Sequence, residues 1–176
     1  RDPQSFNVIK ELSSGGIGPH EVLMLPNKNI LVVANGGLIK DQKGTLVNGA
    51  TMAPNISLLD IESGEIQFSY PSHHAKASLR HMDISSDGII AIAAQVQRLH
   101  VGHKRPIALT SLIKPNGQVI ELQAPEMLLK KLNDYVGSVR INNQFRTAAF
   151  TSPRGDLAMF WNIDTGQYIG HHFFHN

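Results

Sequence analysis

Asn55-Ile56-Ser57-Leu58-Leu59-Asp60-Ile61-Glu62-Ser63-Gly64-Glu65-Ile66-Gln67-Phe68-Ser69-Tyr70 reads as a strand, a tight turn and a second strand. The Ser-Gly pair supplies the positive φ that a short hairpin connection demands. The plan returns twice further along. Ile107 to Ile113 leads through Lys114-Pro115-Asn116-Gly117 into Gln118 to Leu122, and Leu157 to Trp161 leads through Asp164-Thr165-Gly166 into Gln167 to Phe173. The turn glycines Gly64, Gly117 and Gly166 stand 53 and 49 residues apart.

Upstream of each of these hairpins lies another. Glu21 to Leu25 turns at Pro26-Asn27-Lys28-Asn29 into Ile30 to Ala34. His81 to Ile84 turns at Ser85-Ser86-Asp87-Gly88 into Ile89 to Val96, and Ser138 to Ile141 turns at Asn142-Asn143-Gln144 into Phe145 to Thr151. Four strands per period of about 50 residues suit a propeller blade and exceed most solenoid rungs. The predicted fold is therefore all-β and β-propeller-like, with three four-stranded antiparallel blades; a generic β-sandwich is the competing arrangement. Val22 and Met24, Met82 and Ile84, and Val139 and Ile141 alternate with more polar neighbours, so each pair is expected on the dry face of its strand. Ala34, Ala91, Ala93, Ala94, Ala148 and Ala149 are small enough to let neighbouring sheets approach closely.

Pro125 to Val136 breaks the β pattern. Pro125 suits a first helical turn, Glu126 complements the N-terminal dipole and Gly137 is a stop signal. A helix is expected over about 126–134, with Leu128, Leu132 and Tyr135 or Val136 as its apolar stripe. The predicted organisation is a single partial propeller domain over 1–176: a blade remnant at 1–14, blades at about 15–72, 73–124 and 137–176, and the helical insert at 125–136. Phe6 to Leu12 reads as one outer strand of a preceding blade. Three blades cannot close a ring, which typically needs four to eight. The expectation is a fragment of a larger protein, processed or trimmed ahead of Arg1, or an oligomer that completes the ring. Either way its uncovered end faces should make it self-associate.

Composition excludes several function classes. Lys plus Arg number 16 against 14 Asp plus Glu, a formal charge of +2, and no five-residue window is dense in Lys or Arg. A nucleic-acid partner is therefore not expected. Without cysteine there is no disulfide, thiol catalysis or Cys-ligated zinc. The longest apolar runs, Ile30 to Ala34 and Ile89 to Ala94, fall far short of the ~20 residues of a membrane helix, and no signal peptide is visible.

Ser14-Gly15-Gly16-Ile17-Gly18-Pro19-His20-Glu21 and Leu31-Val32-Val33-Ala34-Asn35-Gly36-Gly37 resemble a bacterial domain-of-unknown-function family of exported, propeller-like proteins. Asn55-Ile56-Ser57-Leu58-Leu59-Asp60, Leu79-Arg80-His81, Asp134-Tyr135-Val136-Gly137-Ser138 and Thr151-Ser152-Pro153-Arg154-Gly155 extend the similarity in order along nearly the whole chain. The chain departs from the family mostly in Leu38 to Pro54 and Gln97 to Arg105. The resemblance is to the middle and later part of longer members, often encoded near imelysin-type iron-uptake proteins. It implies a periplasmic or exported address and a loose association with iron uptake, with no reaction and no cofactor attached. Phe160-Trp161-Asn162-Ile163-Asp164-Thr165-Gly166 is similar to the Trp-Asp segment of WD-type repeats, which bears on the fold alone.

Alternate loops of a four-stranded meander share a face. The long, varied loops precede each first strand or join the second strand to the third, and that face is the functional candidate. It would present His20, Glu21, Arg80, His81 and Ser138 at first strands, and Asn35, Gln95, Ser152 and Arg154 where second strands end. Mixed His, Arg, Asn and Gln suit a small anionic or polar ligand, for which Arg offers a bidentate fork; hydrogen bonds tying loops together are the bland alternative. His20, His81 and Glu21 are the weak metal candidates, whereas His100 with His103, and His171 and His172 with His175, sit in no expected helix and have no obvious carboxylate partner. His73-His74 reads as a solvated loop. Gly15-Gly16-Ile17-Gly18 lacks the Gly-Lys-Ser/Thr of a phosphate loop, and Ser138 and Ser152 have no nucleophile elbow. The expected function is a binding or scaffold protein with its ligand or protein partner on this face. An enzyme using that face for metal-assisted redox or hydrolysis, and a WD-type interaction platform, are the alternatives.

Overall fold

Apolar alternation between glycine turns produces twelve strands in a computed structural model that describes residues 1–98, 101–102 and 105–174. The first sheet holds β1 (Pro19–Met24), β2 (Ile30–Asn35), β3 (Asn55–Asp60) and β4 (Ile66–Pro71). The second holds β5 (Ala77–Ile84), β6 (Ile90–Val96), β7 (Thr110–Ile113) and β8 (Val119–Glu121). After the helix α1 (Glu126–Lys131), the third holds β9 (Ser138–Asn142), β10 (Thr147–Ser152), β11 (Leu157–Asn162) and β12 (Tyr168–Phe173). Each sheet is an antiparallel meander with its strands in chain order. The sheets meet through their first strands, β1 against β5 and β5 against β9. This is the three-bladed, all-β, propeller-like arrangement that the 53- and 49-residue spacing predicts.

Turn chemistry repeats as the period requires. Gly64, Gly117 and Gly166 have φ of 80°, 85° and 73°. Asp60 Oδ1 accepts the backbone N–H groups of Glu62 and Ser63, and Asn162 Oδ1 accepts those of Asp164 and Thr165. Such Asx turns form from a few neighbouring residues and need no distant partner.

One apolar core runs through all three sheets, from Leu25, Val32 and Ile56 through Met82, Ile92 and Leu112 to Phe150, Met159 and Trp161. Ala34, Ala91, Ala93, Ala94 and Ala148 are buried within it. Trp161 stacks edge-to-face on Phe150 at 5.4 Å, and its indole N–H donates to Gln123 O at 2.9 Å. The third sheet is thus tied to the chain leaving the second.

Three expectations need correction. Val22 and Met24 do not face a dry side. They are 49% and 50% exposed, while Leu25 and the half-buried Leu23 carry the inward face of the first strand. The alternation is real, but among the described residues no sheet covers Val22 and Met24. The helix stops at Lys131, earlier than 134, because Asn133 and Asp134 adopt left-handed φ of 51° and 57°; both residue types enter that region more readily than most. Leu128 and Leu132 are buried as expected, whereas Tyr135 leaves the helical stripe and its backbone bridges to Gln95. His73 is no solvated loop residue, since its Nε2 lies 2.6 Å from Ala108 O.

Phe6 to Leu12 has no ladder partner among the described residues. It runs beside the β3–β4 turn, where Lys10 Nζ donates to Glu62 O at 3.0 Å and the Leu12 side chain lies against Gly64. Beyond it, Ser14-Gly15-Gly16 is clasped to the first sheet. Asn35 Nδ2 and Ser57 Oγ donate to Ser14 O at 3.0 and 2.6 Å, and Asn55 Nδ2 donates to Gly15 O at 3.1 Å. A Cβ on Gly16 would sit 2.3 Å from Asn55 Oδ1 and 2.6 Å from Asn35 Cγ, so only glycine fits that approach.

Candidate functional site

The site begins with two irregularities in the sheet ladders. In the β1–β2 pair the register shifts between Pro19 and Glu21, which leaves His20 as the extra residue. In the β5–β6 pair it shifts between Leu79 and His81, which leaves Arg80 as the extra residue. The β9–β10 ladder has no such shift. A bulge frees one residue from the pleat and re-aims its side chain. Equivalent positions on adjacent first strands are both re-aimed in this way, and the two residues meet: His20 Nδ1 lies 3.0 Å from Arg80 O. The imidazoles of His20 and His81 pack edge-to-face at 4.9 Å.

Both bulges open on a cavity of about 450 Å³, within the usual range for a small-ligand site. It lies at the face of the long loops. The strands contribute His20, Arg80, His81 and Gln95, with Gln97 just past β6. Tyr135 comes from the segment between helix and β9, held in place because Val96 N donates to Asp134 O and Val136 N to Ala94 O. The last wall is the β2–β3 loop, which contributes Leu38, Lys40, Gly44 and Leu46. Ile39 to Val47 folds back on itself as a small hairpin, with Val47 N donating to Ile39 O and Asp41 N to Thr45 O. Asn48 locks its base by accepting from Ile39 N and donating to Gly37 O. Side chains at 38, 40 and 46 therefore fall on the hairpin face turned to the cavity.

Electrostatics are one-sided. Arg80 and Lys40 line the cavity together with two imidazoles, and no Asp or Glu does. Arg80 Nε is buried with no hydrogen-bond partner among the described residues. Burial lowers the Arg80 pKa from its ordinary value, against a raising effect from Tyr135. Burial, then the charges of Arg80 and His81, hold the His20 imidazole below the usual histidine range. Two cationic side chains in the lining, with no acid among the described residues to offset them, favour an anion in the cavity.

Of the residues singled out in the sequence, His20, Arg80, His81 and Gln95 share this cavity. The others lie elsewhere. Glu21 turns into the seam between the first two sheets, where its carboxylate accepts from Met82 N and lies 3.9 Å from His81 Nδ1. Asn35 is fully buried in the clasp on Ser14, also donating to Ser57 Oγ at 2.7 Å. Ser152 is buried, donating to Leu132 O at 2.8 Å and accepting from Gly155 N at 3.2 Å. Arg154 packs its guanidinium 4.7 Å from the Tyr135 ring centroid and touches the cavity wall without lining the cavity. Ser138 is exposed at the start of β9 and does not line it.

Among the described residues no three His, Asp or Glu side chains come together to hold a metal ion. His171 hydrogen-bonds to the Tyr168 hydroxyl at 2.8 Å and His172 packs on Phe174. His100, His103 and His175 lie outside the described residues. Lys40, Leu46, Gln97 and Tyr135 escaped sequence reasoning. Their loops lie on the shared face, but which loop residues turn inward depends on packing that strand order does not specify.

A family model described as "Protein of unknown function (DUF1513)" matches residues 1–176. No curated protein matches the chain. Similar solved structures include the "Crystal structure of RRP9 WD40 repeats", with a TM-score of 0.64 at 15% identity over 93% of this chain and 41% of that one. The "Structure of U3-55K" gives 0.64 at 15% identity, over 93% and 42%. Hydrazine synthase of Kuenenia stuttgartiensis gives 0.56 at 19% identity, over 84% and 40%. At such identities the likeness shows the fold alone. The chain spans about two fifths of each of these structures. No helix of the described residues is long and apolar enough to cross a membrane.

Proposed function

The chain belongs to the DUF1513 family of proteins of unknown function, and we propose from the chemistry of its cavity that it is a binding module for a small anionic ligand. The observation that carries this reading is a cavity lining that brings Arg80 and Lys40 together with His20 and His81 and holds no carboxylate among the described residues. An anion would accept from the planar Arg80 fork at a site partly shielded from water, where charge-assisted hydrogen bonds are strong. Gln95, Gln97 and Tyr135 supply neutral donors and acceptors that would orient the rest of the molecule. This polar, concave lining supports a small ligand over a flat protein-binding platform.

The exported address and the link to iron uptake are part of the same proposal and rest on the family resemblance. Fractionation of the native cell should find the protein outside the cytoplasm.

Titration with propionate and with inorganic phosphate, followed by NMR, tests the binding reading. The wild-type chain should bind at least one of them, and Arg80→Lys should weaken that binding about tenfold, because lysine keeps the charge but loses the fork. Equal affinity in the two proteins would remove Arg80 from the site. Absence of binding by any small oxyanion would remove the reading.

A further inference from the structure

His20 has only one way to hold its proton. Its Nδ1 lies 3.0 Å from the carbonyl oxygen of Arg80, and a carbonyl can only accept. Nδ1 therefore carries the hydrogen, and the neutral ring keeps a bare lone pair at Nε2. Nε2 has no partner among the described residues. The groups around the ring are Arg80 and His81 from β5, Glu21 from β1, Lys40 from the 38–48 hairpin and Tyr135 from the segment before β9. Burial, then the charges of Arg80 and His81, lower its pKa against the raising effects of the Arg80 carbonyl and Glu21, which favours the neutral ring. The cavity thus offers two unlike functions within one bulge pair, a cationic fork at Arg80 and a hydrogen-bond acceptor at His20.

A plain carboxylate satisfies the first and offends the second, since its oxygens would meet a lone pair. An amino acid supplies a donor, but its ammonium group would enter a cavity that already holds Arg80 and Lys40 and has no acid in its lining. A neutral hydroxyl beside the carboxylate meets both requirements. We propose that the ligand class of this cavity is a small hydroxy acid, its carboxylate on Arg80 and its O–H donating to Nε2 of His20. The inference rests on the anion reading above and adds the donor. His20 becomes the specificity residue, because a site built to receive a hydroxyl rejects the analogue that lacks one.

Three acids of one carbon skeleton test it: lactate, propionate and alanine, each titrated against the chain at pH 7.5 with affinity read from NMR shifts. Lactate should bind about five- to tenfold more tightly than propionate, the worth of one hydrogen bond, and alanine should bind most weakly. His20→Phe should bring the ratio of lactate to propionate close to one. Equal affinity of lactate and propionate for the wild-type chain overturns the proposal and leaves the anion reading standing. Failure of all three acids while inorganic phosphate binds overturns the proposal alone; failure of phosphate as well overturns both. The wild-type comparison decides the matter even where the variant does not fold.

Discussion

If Arg80 is held in place for a ligand, the empty protein should be less stable for having it. Replacing Arg80 by methionine keeps an unbranched apolar stem of similar reach, so the packing of the side chain's methylenes is largely retained. What is lost is a half-buried guanidinium whose Nε meets no acceptor. An unmatched buried donor costs about 1–3 kcal/mol. Arg80 as a whole is only half-buried, so the lower end of that range applies. Arg80→Met should raise the unfolding free energy by about 1 kcal/mol, or the melting temperature by about 2–4 °C for a chain of this size. Urea denaturation of both proteins without ligand measures it. The second half of the assay adds an anion that binds: at ten times Kd it should stabilise the wild type by about 1.4 kcal/mol and leave Arg80→Met unmoved. A variant destabilised by more than about 1 kcal/mol would instead make Arg80 a tie between loops.

Other positions separate scaffold from site. Gly16→Ala should cost about 2–3 kcal/mol, because its Cβ would collide with Asn55 and Asn35 in the clasp that holds the chain ahead of β1; differential scanning calorimetry reads it. Ser152→Ala should cost about 1 kcal/mol in urea denaturation by removing the hydroxyl's bonds to Leu132 O and from Gly155 N, each of which keeps a backbone partner, with no change in anion titration. Asp87 has its pKa lowered to about 2, first by hydrogen bonds from Arg146 and then from Ser85. A depressed carboxylate stabilises the fold above its unfolded value near 3.8 and loses that contribution as pH falls toward 2. Asp87→Asn should flatten the acid limb of the stability curve between about pH 4 and 2. The amplitude should stay under about 1 kcal/mol, since half of the Asp87 side chain is exposed.

The sequence by itself determined the repeat. Glycine at positive φ and aspartate or asparagine at the turn corner are local requirements, met by residues within four or five positions of one another, so Gly64, Gly117 and Gly166 announce their hairpins without tertiary help. From the spacing of those turns followed three antiparallel sheets, and from the loop lengths followed the face on which His20, Arg80, His81 and Gln95 now share a cavity. Where those side chains point was set by the tertiary structure. A bulge is a property of two strands and not of one, so nothing in Pro19-His20-Glu21 or Leu79-Arg80-His81 announces that the middle residue leaves the pleat. The direction of a strand-end side chain depends on what packs beside it. Glu21 turns toward Met82, 61 residues away, Asn35 toward Ser14, and Ser152 toward Leu132, so three residues of plausible binding chemistry are consumed by the fold. Val22 and Met24 alternate correctly yet stay exposed, because burial needs a neighbouring sheet that periodicity cannot supply. Short-range geometry is written in short-range sequence; the pairing of one bulge with another, and of a cation with an acceptor across two sheets, exists only once the sheets have met.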